Sequence, residues 1–221
     1  DTWVLTDLGP RRVSELLERP FVALVDGKPY QATQFRETGK KGVLKVETFE
    51  GYLVRATEDH QILTPDGWIS TGQLSLGDSV VLHDHLGSSW LGDGTEDEGY
   101  ILGHLVGDGT FGAKTPMVAV WESDPGSDEP KNRLERIMAE LPHRSDWGSW
   151  YRVSKTDQLR SNHVGLRDLA KRFGIVRGNK TITEEVEKAS SAFYIGFLRG
   201  LFDTDGHVEG DSLRGGVSVR L

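Results

Sequence analysis

The chain has 221 residues, of which 36% are hydrophobic and 9% aromatic, enough for one large domain or two modest ones. It contains 27 glycines and no cysteine, which favours a turn-rich β architecture and excludes disulfide bonds and zinc–thiolate sites. No apolar run approaches the ~18–20 residues that span a bilayer, and the first residues lack the charged leader and apolar core of a signal peptide. We therefore expect a soluble, cytoplasmic protein without a membrane partner.

The formal net charge is −8, but the charge is unevenly distributed along the chain. Residues 1–94 carry 14 acidic and 9 basic side chains, whereas residues 131–180 carry 5 acidic and 12 basic ones. A basic segment inside an acidic chain indicates either a surface that faces a polyanion or an ordinary solvated face of helices and loops. Charge alone leaves both interpretations open.

Residues 1–85 are predicted to form short antiparallel strands. Segments rich in Val, Ile, Thr and aromatic residues alternate with turn residues, such as Pro65-Asp66-Gly67. The predicted strands are WVLT (3–6), FVALV (21–25), YQATQFRET (30–38), GVLKVETF (42–49), YLVRAT (52–57), QILT (61–64), GWIST (67–71) and DSVVL (78–82). Residues 86–98 are rich in Gly, Ser and acidic side chains, and we predict a linker there.

Helical periodicity begins after this linker. The predicted helices are YILGHLVGDGTF (100–111), DEPKNRLERIMAEL (128–141), GLRDLAKRFGI (165–175) and AFYIGFLRGLFDTDGHVEG (192–210). Pro130 suits the first turn of the second helix, and Gly174 is expected to end the third. Three further strands are predicted at MVAVWES (117–123), SWYRVSK (149–155) and GVSVRL (216–221).

Two of these helices form an internal repeat. The segments ILGHLVGDG (101–109) and LRGLFDTDG (198–206) both end in Asp-Gly, and their acids Asp108 and Asp205 are 97 residues apart, a plausible length for a duplicated αβ unit. If the helices pack side by side, the two carboxylates lie together at one end. Such a pair is costly unless a cation neutralises it, so the repeat indicates a divalent-metal site suited to phosphodiester cleavage.

Glycine spacing supports close packing of the two helices. Gly103 and Gly107 in the first helix, and Gly196 and Gly200 in the second, are four residues apart and share a helix face. Since glycine has no side chain, two helix backbones can approach closely along such faces.

The two repeats resemble the paired LAGLIDADG motifs of homing endonucleases. The resemblance implies that both helices form a pseudo-dimer interface and that Asp108 and Asp205 bind Mg²⁺. Lys180 resembles the lysine between the motifs of intein endonucleases, which assists at the active site, with Thr183 in place of a nearby proline. This chain departs from the motif at His104, where leucine is usual, and at Arg199, where a small residue is usual.

The strand-rich part carries a second resemblance. Residues 51–82 are similar to the block of the Hint fold, shared by inteins and hedgehog-type autoprocessing domains, that contains Thr-x-x-His. The resemblance implies that His60 protonates the departing amide nitrogen during splicing and that Thr57 holds the same peptide bond. Residues 1–17 resemble the opening block of inteins, although the family's Cys or Ser nucleophile before it and the closing His-Asn block are absent from this sequence.

Together these resemblances predict the N-terminal part of an intein. We expect a β-rich Hint-type splicing domain over residues 1–90 and an α+β LAGLIDADG endonuclease over residues 95–221. The endonuclease would contain an αββα unit over roughly 95–183, followed by a truncated second unit. The expected partners are a double-stranded DNA target and the flanking exteins of a host protein, with Mg²⁺ as cofactor and a monomeric state.

We expect DNA binding to depend on the twelve basic side chains of residues 131–180 and on the sheets, away from the two acids. The chain as it stands is predicted to be inactive alone because its nucleophile and closing block are missing. Two alternatives are a free-standing homing endonuclease with a degenerate Hint domain and a non-catalytic DNA-binding protein on the LAGLIDADG scaffold. The presence of both aspartates argues against the second alternative.

Overall fold

A computed structural model describes residues 2–83, 87–112, 115–124, 126–148, 150–211 and 216–220. The chain divides into two compact units, described separately below. We call Val13–Ser88 the strand-rich unit, and Asp1–Arg12 together with Ser89–Leu221 the helical unit. The functional labels predicted for residues 1–90 and 95–221 remain predictions. Four residues that begin or end predicted segments lie outside the described residues, namely 1, 86, 149 and 221.

The first twelve residues form a hairpin that belongs to the helical unit. Strands β1 (Trp3–Thr6) and β2 (Gly9–Arg12) pair in antiparallel fashion. The Asp7 carbonyl accepts a hydrogen bond from the Leu91 N–H at 2.9 Å. The hairpin therefore belongs to the same compact unit as the part of the chain that begins at Ser89.

The strand-rich unit consists of three antiparallel hairpins after a short 3₁₀ turn at Val13–Leu16. Its strands are β3 (Phe21–Val25), β4 (Lys28–Ala32), β5 (Leu44–Glu47), β6 (Leu53–Ala56), β7 (Gln61–Thr64) and β8 (Gly67–Ser70). Consecutive strands pair, β3 with β4, β5 with β6 and β7 with β8. Five of the predicted strands are confirmed within a few residues, whereas the one predicted at 30–38 is wrong after Ala32, where β4 ends.

The strand predicted at residues 78–82 is wrong. The segment has no strand geometry, although the Val81 N–H donates to the Leu63 carbonyl at 2.8 Å. Val81 and Leu82 remain about half exposed. A β-prone composition did not produce a strand here because a strand also needs a continuous ladder of partners.

The helical unit contains the remaining elements. They are α1 (Glu96–Val106), β9 (Thr110–Phe111), β10 (Pro116–Trp121), α2 (Asp128–Glu140), β11 (Tyr151–Arg152), β12 (Gln158–Asn162), α3 (Val164–Arg172), α4 (Glu184–Glu187), α5 (Ser191–Asp205), β13 (His207–Asp211) and β14 (Gly216–Arg220). Strands β9 to β12 form one antiparallel sheet in the order β11-β12-β10-β9. Strands β13 and β14 form a separate hairpin.

The predicted αββα order is wrong, because two strands also separate α2 from α3. Strand β12 was not predicted since its sequence, QLRSN, contains a single strongly apolar residue, and its pairing with β10 defines it as a strand. The predicted extension of the last helix to residue 210 is also wrong. Helix α5 ends at Asp205, and residues 207–211 form β13.

Residues 89–94 do not form a free linker, so that prediction is wrong in its C-terminal part. The Trp90 indole N–H donates to the Ala189 carbonyl at 2.9 Å, and its ring lies edge-on to Tyr194 at 5.4 Å. Helix α1 begins at Glu96, with Thr95 as N-cap and Glu98 completing a capping box. Gly92 and Gly94 in this segment lie close against residues 189–190 and Phe193, where a Cβ atom would clash.

The hydrophobic core of the helical unit lies between the helices and one face of the sheet. Its members come from α1, α2, α3 and α5, the loops beside them, and the inward-facing residues of β10 and β12. This core positions the ends of α1 and α5, where the sequence predicts a site. Within the described residues, no helix is long and apolar enough to cross a membrane.

Candidate functional site

Helices α1 and α5 pack backbone to backbone. A Cβ added to Gly103 would overlap the Phe197 carbonyl oxygen, and one added to Gly200 would overlap the Tyr100 carbonyl oxygen. The close approach predicted from the glycine spacing is therefore confirmed. Gly99 makes the same contact with Phe193, and its place four residues before Gly103 could have revealed it in the sequence.

This packing brings Asp108 and Asp205 to the same end of the helix pair. Helix α1 ends at Val106, and its C-cap Gly107 lies against Thr204. A Cβ on Gly107 would be 3.3 Å from a carboxylate oxygen of Asp205. Burial raises the pKa of Asp108, and the negative charge of Asp205 raises it further. The two carboxylates are thus close enough for their charges to interact.

Lys180 lies beside Asp108. Its ammonium group donates to the Gly107 carbonyl at 2.7 Å and to the Gly109 carbonyl at 2.8 Å, the carbonyls of the residues on either side of Asp108. Its positive charge opposes the rise in the pKa of Asp108. Lys180 therefore holds the Asp108 turn and supplies a cation there.

Thr183 has a structural role that explains a threonine at this position. Its hydroxyl accepts a hydrogen bond from the Val186 N–H at 3.2 Å, which makes it the N-cap of α4. The same hydroxyl donates to the Phe173 carbonyl. Thr183 thus joins the end of the α3 region to α4, three residues after Lys180.

A polar cavity of about 330 Å³ lies next to Asp108. Acidic and aromatic side chains from several elements line it, among them Asp203 on α5 and Trp121 at the end of β10. Asp203 accepts a hydrogen bond from the Tyr100 hydroxyl at 2.6 Å, a link between α5 and α1. Burial, and then this hydrogen bond, raise the pKa of Tyr100. Sequence reasoning missed Asp203, although it lies two residues before Asp205 in the repeat.

His104 is fully enclosed between α1 and the sheet. Its Nε2 lies 2.7 Å from the Ala119 carbonyl oxygen, so this nitrogen carries the proton and donates to strand β10. Burial lowers the pKa of His104 and favours the neutral ring. The histidine at a position where leucine is usual therefore adds a hydrogen bond between helix and sheet.

The carboxylates at this end of α1 and α5 suit a hard cation that takes most of its ligands from water and phosphate oxygens. In the described part of the chain, no three His, Cys, Asp or Glu side chains cluster tightly enough to form a metal site. Asp108 and Asp205 offer two carboxylates. Mg²⁺ is commonly held by one or two carboxylates, with water and phosphate oxygens completing the octahedron.

Within the described part of the helical unit, half of the basic side chains in residues 131–180 form ion pairs. Six of the twelve form ion pairs: Arg133 with Glu96, Arg136 with Asp97, Arg144 with Asp146, Arg152 with Glu122, Arg167 with Asp168 and Arg172 with Glu98. Three of these pairs hold α2 and α3 against the acidic first turn of α1. The dependence of DNA binding on all twelve basic side chains stays a prediction.

The strand-rich unit places Thr57 and His60 on one turn between β6 and β7. The His60 N–H donates to the Thr57 carbonyl at 3.0 Å. The His60 carbonyl accepts from the Thr71 N–H at 2.7 Å and from the Thr71 hydroxyl at 2.9 Å. These bonds fix the backbone of the turn, while the His60 side chain is exposed.

A cavity of about 510 Å³ adjoins this turn and is lined by Thr57, Asp59 and Lys41 among others. The Thr57 hydroxyl, followed by a backbone hydrogen bond and the charge of Lys41, lowers the pKa of Asp59. Sequence reasoning missed Asp59 and Lys41, although Asp59 lies inside the Thr-x-x-His segment itself.

Comparison with protein families identifies the last part of the helical unit. Residues 192–221 match the family described as LAGLIDADG-like domain. The match covers nearly all of α5, including Asp205, and the hairpin that follows it. The resemblance proposed from the second repeat is therefore confirmed over these residues.

The chain is also similar to segments of three larger proteins. It is 29% identical over 216 residues to ribonucleoside-diphosphate reductase NrdEB subunit alpha of Bacillus subtilis (strain 168), covering 90% of this chain and 19% of that protein. It is 32% identical over 184 residues to the replicative DNA helicase DnaB of Synechocystis, covering 78% and 21%. It is 34% identical over 87 residues to RecA of Mycobacterium tuberculosis (H37Rv), covering 37% and 11%. The chain thus spans about a fifth of the length of the first two.

Proposed function

We propose that this chain is part of an intein, with a Hint-type splicing element and a LAGLIDADG homing endonuclease that cleaves double-stranded DNA. The observation that carries the endonuclease part is the glycine-mediated packing of α1 on α5, which brings Asp108 and Asp205 together beside Lys180. The match of residues 192–221 to the LAGLIDADG-like domain family supports the same assignment for α5.

The pattern of similar proteins supports an inserted element. A reductase subunit, a DNA helicase and RecA have different names and activities, yet each contains a segment similar to this chain. The similar segment is only a fraction of each protein. An element inserted into unrelated hosts accounts for this pattern, whereas a shared host activity would not.

The endonuclease geometry follows from the two carboxylates. Bound Mg²⁺ would offset the repulsion between Asp108 and Asp205 and supply the Lewis acid and activated water for phosphodiester hydrolysis. The protein's own part is to orient both carboxylates through the rigid helix pair. Lys180 holds the Asp108 turn through the two flanking carbonyls and adds positive charge where phosphate would bind.

The nuclease proposal predicts that Asp108→Asn and Asp205→Asn each abolish double-strand cleavage by the full-length polypeptide and leave DNA binding within a fewfold. Asparagine keeps the shape but removes the charge that holds Mg²⁺. Plasmid cleavage in Mg²⁺ is measured beside a gel-shift assay in Ca²⁺. Asp168→Asn, on the exposed side of α3, serves as the matched control and should cleave normally. Full cleavage by Asp108→Asn would refute the metal assignment.

The splicing proposal assigns proton donation to His60 and orientation to Thr57. An amide anion is a poor leaving group, and an exposed imidazole can protonate the nitrogen as the bond breaks. In the polypeptide with both exteins, His60→Ala should slow the N-terminal acyl shift by roughly 10²–10⁴. Thr57→Ala should cost less, because its hydroxyl transfers no proton.

Ligated and cleaved products on a denaturing gel measure both splicing variants. Gln61→Ala, on the strand that follows His60, provides a control for local disturbance. Normal splicing by His60→Ala together with failure of Thr57→Ala would reverse the assigned roles.

A further inference from the structure

The four-stranded sheet of the helical unit has a core face and an outer face. Val120 on β10 pairs with Leu159 on β12, and both side chains belong to the buried core. Successive residues of a strand point to opposite faces. The neighbouring pair, Ala119 and Arg160, therefore lies on the outer face.

Gln158 fixes the orientation of the Arg160 side chain. The two residues are two positions apart on β12 and share the outer face. The Arg160 Nε–H donates to Gln158 Oε1 at 2.6 Å, and Gln158 is only 8% exposed. Because the guanidinium group is planar, a bond to Nε sets its plane and leaves both Nη groups available.

Arg160 also forms no ion pair among the described residues, unlike the two arginines that precede it. Arg144 and Arg152 pair with Asp146 and Glu122. Arg160 has no carboxylate partner in the part of the chain that the structure describes. It is thus a half-buried, oriented cation that no internal acid neutralises.

Polar groups surround Arg160 on the outer face. Tyr151 on β11 lies opposite Arg160, and the Asn162 side-chain amide donates to the Tyr151 hydroxyl at 3.2 Å. Both residues are exposed. A row of hydrogen-bonding groups around a fixed arginine is suited to the base edges of a nucleic acid.

We propose that Arg160 is a specificity-determining residue that recognises a guanine in the major groove of the DNA target. This inference rests on the DNA-binding function proposed above. A guanidinium group with a fixed plane matches the O6 and N7 acceptors of guanine, the commonest specific arginine contact. A phosphate contact carries no sequence information, so an arginine that only bound phosphate would support the affinity for every sequence alike.

The experiment is a selection of duplexes from a randomised pool by the 221-residue chain in EDTA, compared with Arg160→Lys and Arg152→Lys. The chain and Arg152→Lys should enrich a sequence with guanine at one position. Arg160→Lys should lose that preference by about 5–150-fold, the range for one bidentate contact. Its affinity for random duplex DNA should change by less than about threefold, because the charge remains. Circular dichroism verifies that each variant is folded.

Gln158→Leu provides a second variant that leaves the arginine in place. It should weaken the guanine preference because the guanidinium plane is released, and it should keep the affinity for random DNA. A guanine preference that survives Arg160→Lys, or an equal loss of affinity for every sequence, overturns the inference. Binding without any enriched sequence refutes this inference alone, whereas absence of all DNA binding refutes the proposed function as well.

Discussion

The two units hold their candidate sites by different means. Every residue of the buried hydrophobic cluster belongs to the helical unit. Among the described residues of the strand-rich unit, the buried hydrophobic side chains are Leu16 and Ala56, while Phe49, Trp68 and Leu76 are largely exposed. The end of α1 and α5 is therefore positioned by packing, whereas the turn from Thr57 to His60 is positioned by backbone hydrogen bonds.

This difference teaches where precision can come from. Packed helix backbones have little freedom, because interiors are close-packed and small shifts create clashes or voids. Asp108 and Asp205 inherit that rigidity. The Thr57–His60 turn has a fixed backbone but an exposed His60 side chain, which suits a group that must reach a peptide bond.

The largest difference in unfolding free energy is expected between alanine substitutions of two phenylalanines, one in each unit. Phe193 is fully buried and stacks on Phe173 at 4.3 Å, whereas Phe49 is fully exposed. Phe193→Ala should lower the free energy of unfolding by about 3–5 kcal/mol, and Phe49→Ala should change it by about 0.5 kcal/mol or less. Urea titrations followed by circular dichroism measure both. Equal effects of the two substitutions would contradict the contrast between the units.

A smaller effect is expected from the helix interface. Gly103→Ala places a Cβ against the Phe197 carbonyl and should cost about 1–3 kcal/mol of unfolding free energy. Gly42 in the strand-rich unit has open space around it, so Gly42→Ala is the matched control and should be nearly neutral. Gly103→Ala should also slow DNA cleavage, since it moves Asp108 relative to Asp205. Unchanged unfolding of Gly103→Ala would show that the helices can separate at no cost.

The smallest effect concerns pH. Burial lowers the pKa of His104 below its ordinary value of 6.5 in the folded protein. The unfolded chain therefore binds more protons as the pH falls below about 6.5, and stability of the helical unit should decline until the folded pKa is reached. Well above pH 6.5 the ring is neutral in both the folded and the unfolded chain, and His104 no longer makes stability depend on pH.

His104→Leu isolates this contribution. The variant should lose part of the stability decline between pH 6.5 and pH 5, measured as urea midpoints at each pH. His60→Leu, in the other unit, is the control substitution and is measured in the same way. A decline of the same size in His104→Leu would assign the acid sensitivity to other groups, such as His163, whose pKa burial also lowers.

Much of the candidate site could be predicted because it depends on local pattern. Glycines four apart and a terminal Asp-Gly specify a helix face and a helix end, so the pairing of Asp108 with Asp205 followed from the repeat. The regular turn residues likewise specified six hairpin strands. Strand β12 could not be predicted, because its polar sequence forms a strand only through pairing with β10.

The sequence by itself determined the helix repeat, the two carboxylates and the Thr-x-x-His turn, since these depend on spacing within a few residues. Only the tertiary structure decided which charges remain available. Arg133, Arg136 and Arg172 form ion pairs with the first turn of α1. Arg160 is instead oriented by Gln158 and forms no ion pair among the described residues. The physical reason is that ion pairing depends on distances of about 4 Å between residues far apart in the chain, and one-dimensional charge counts contain no such distances.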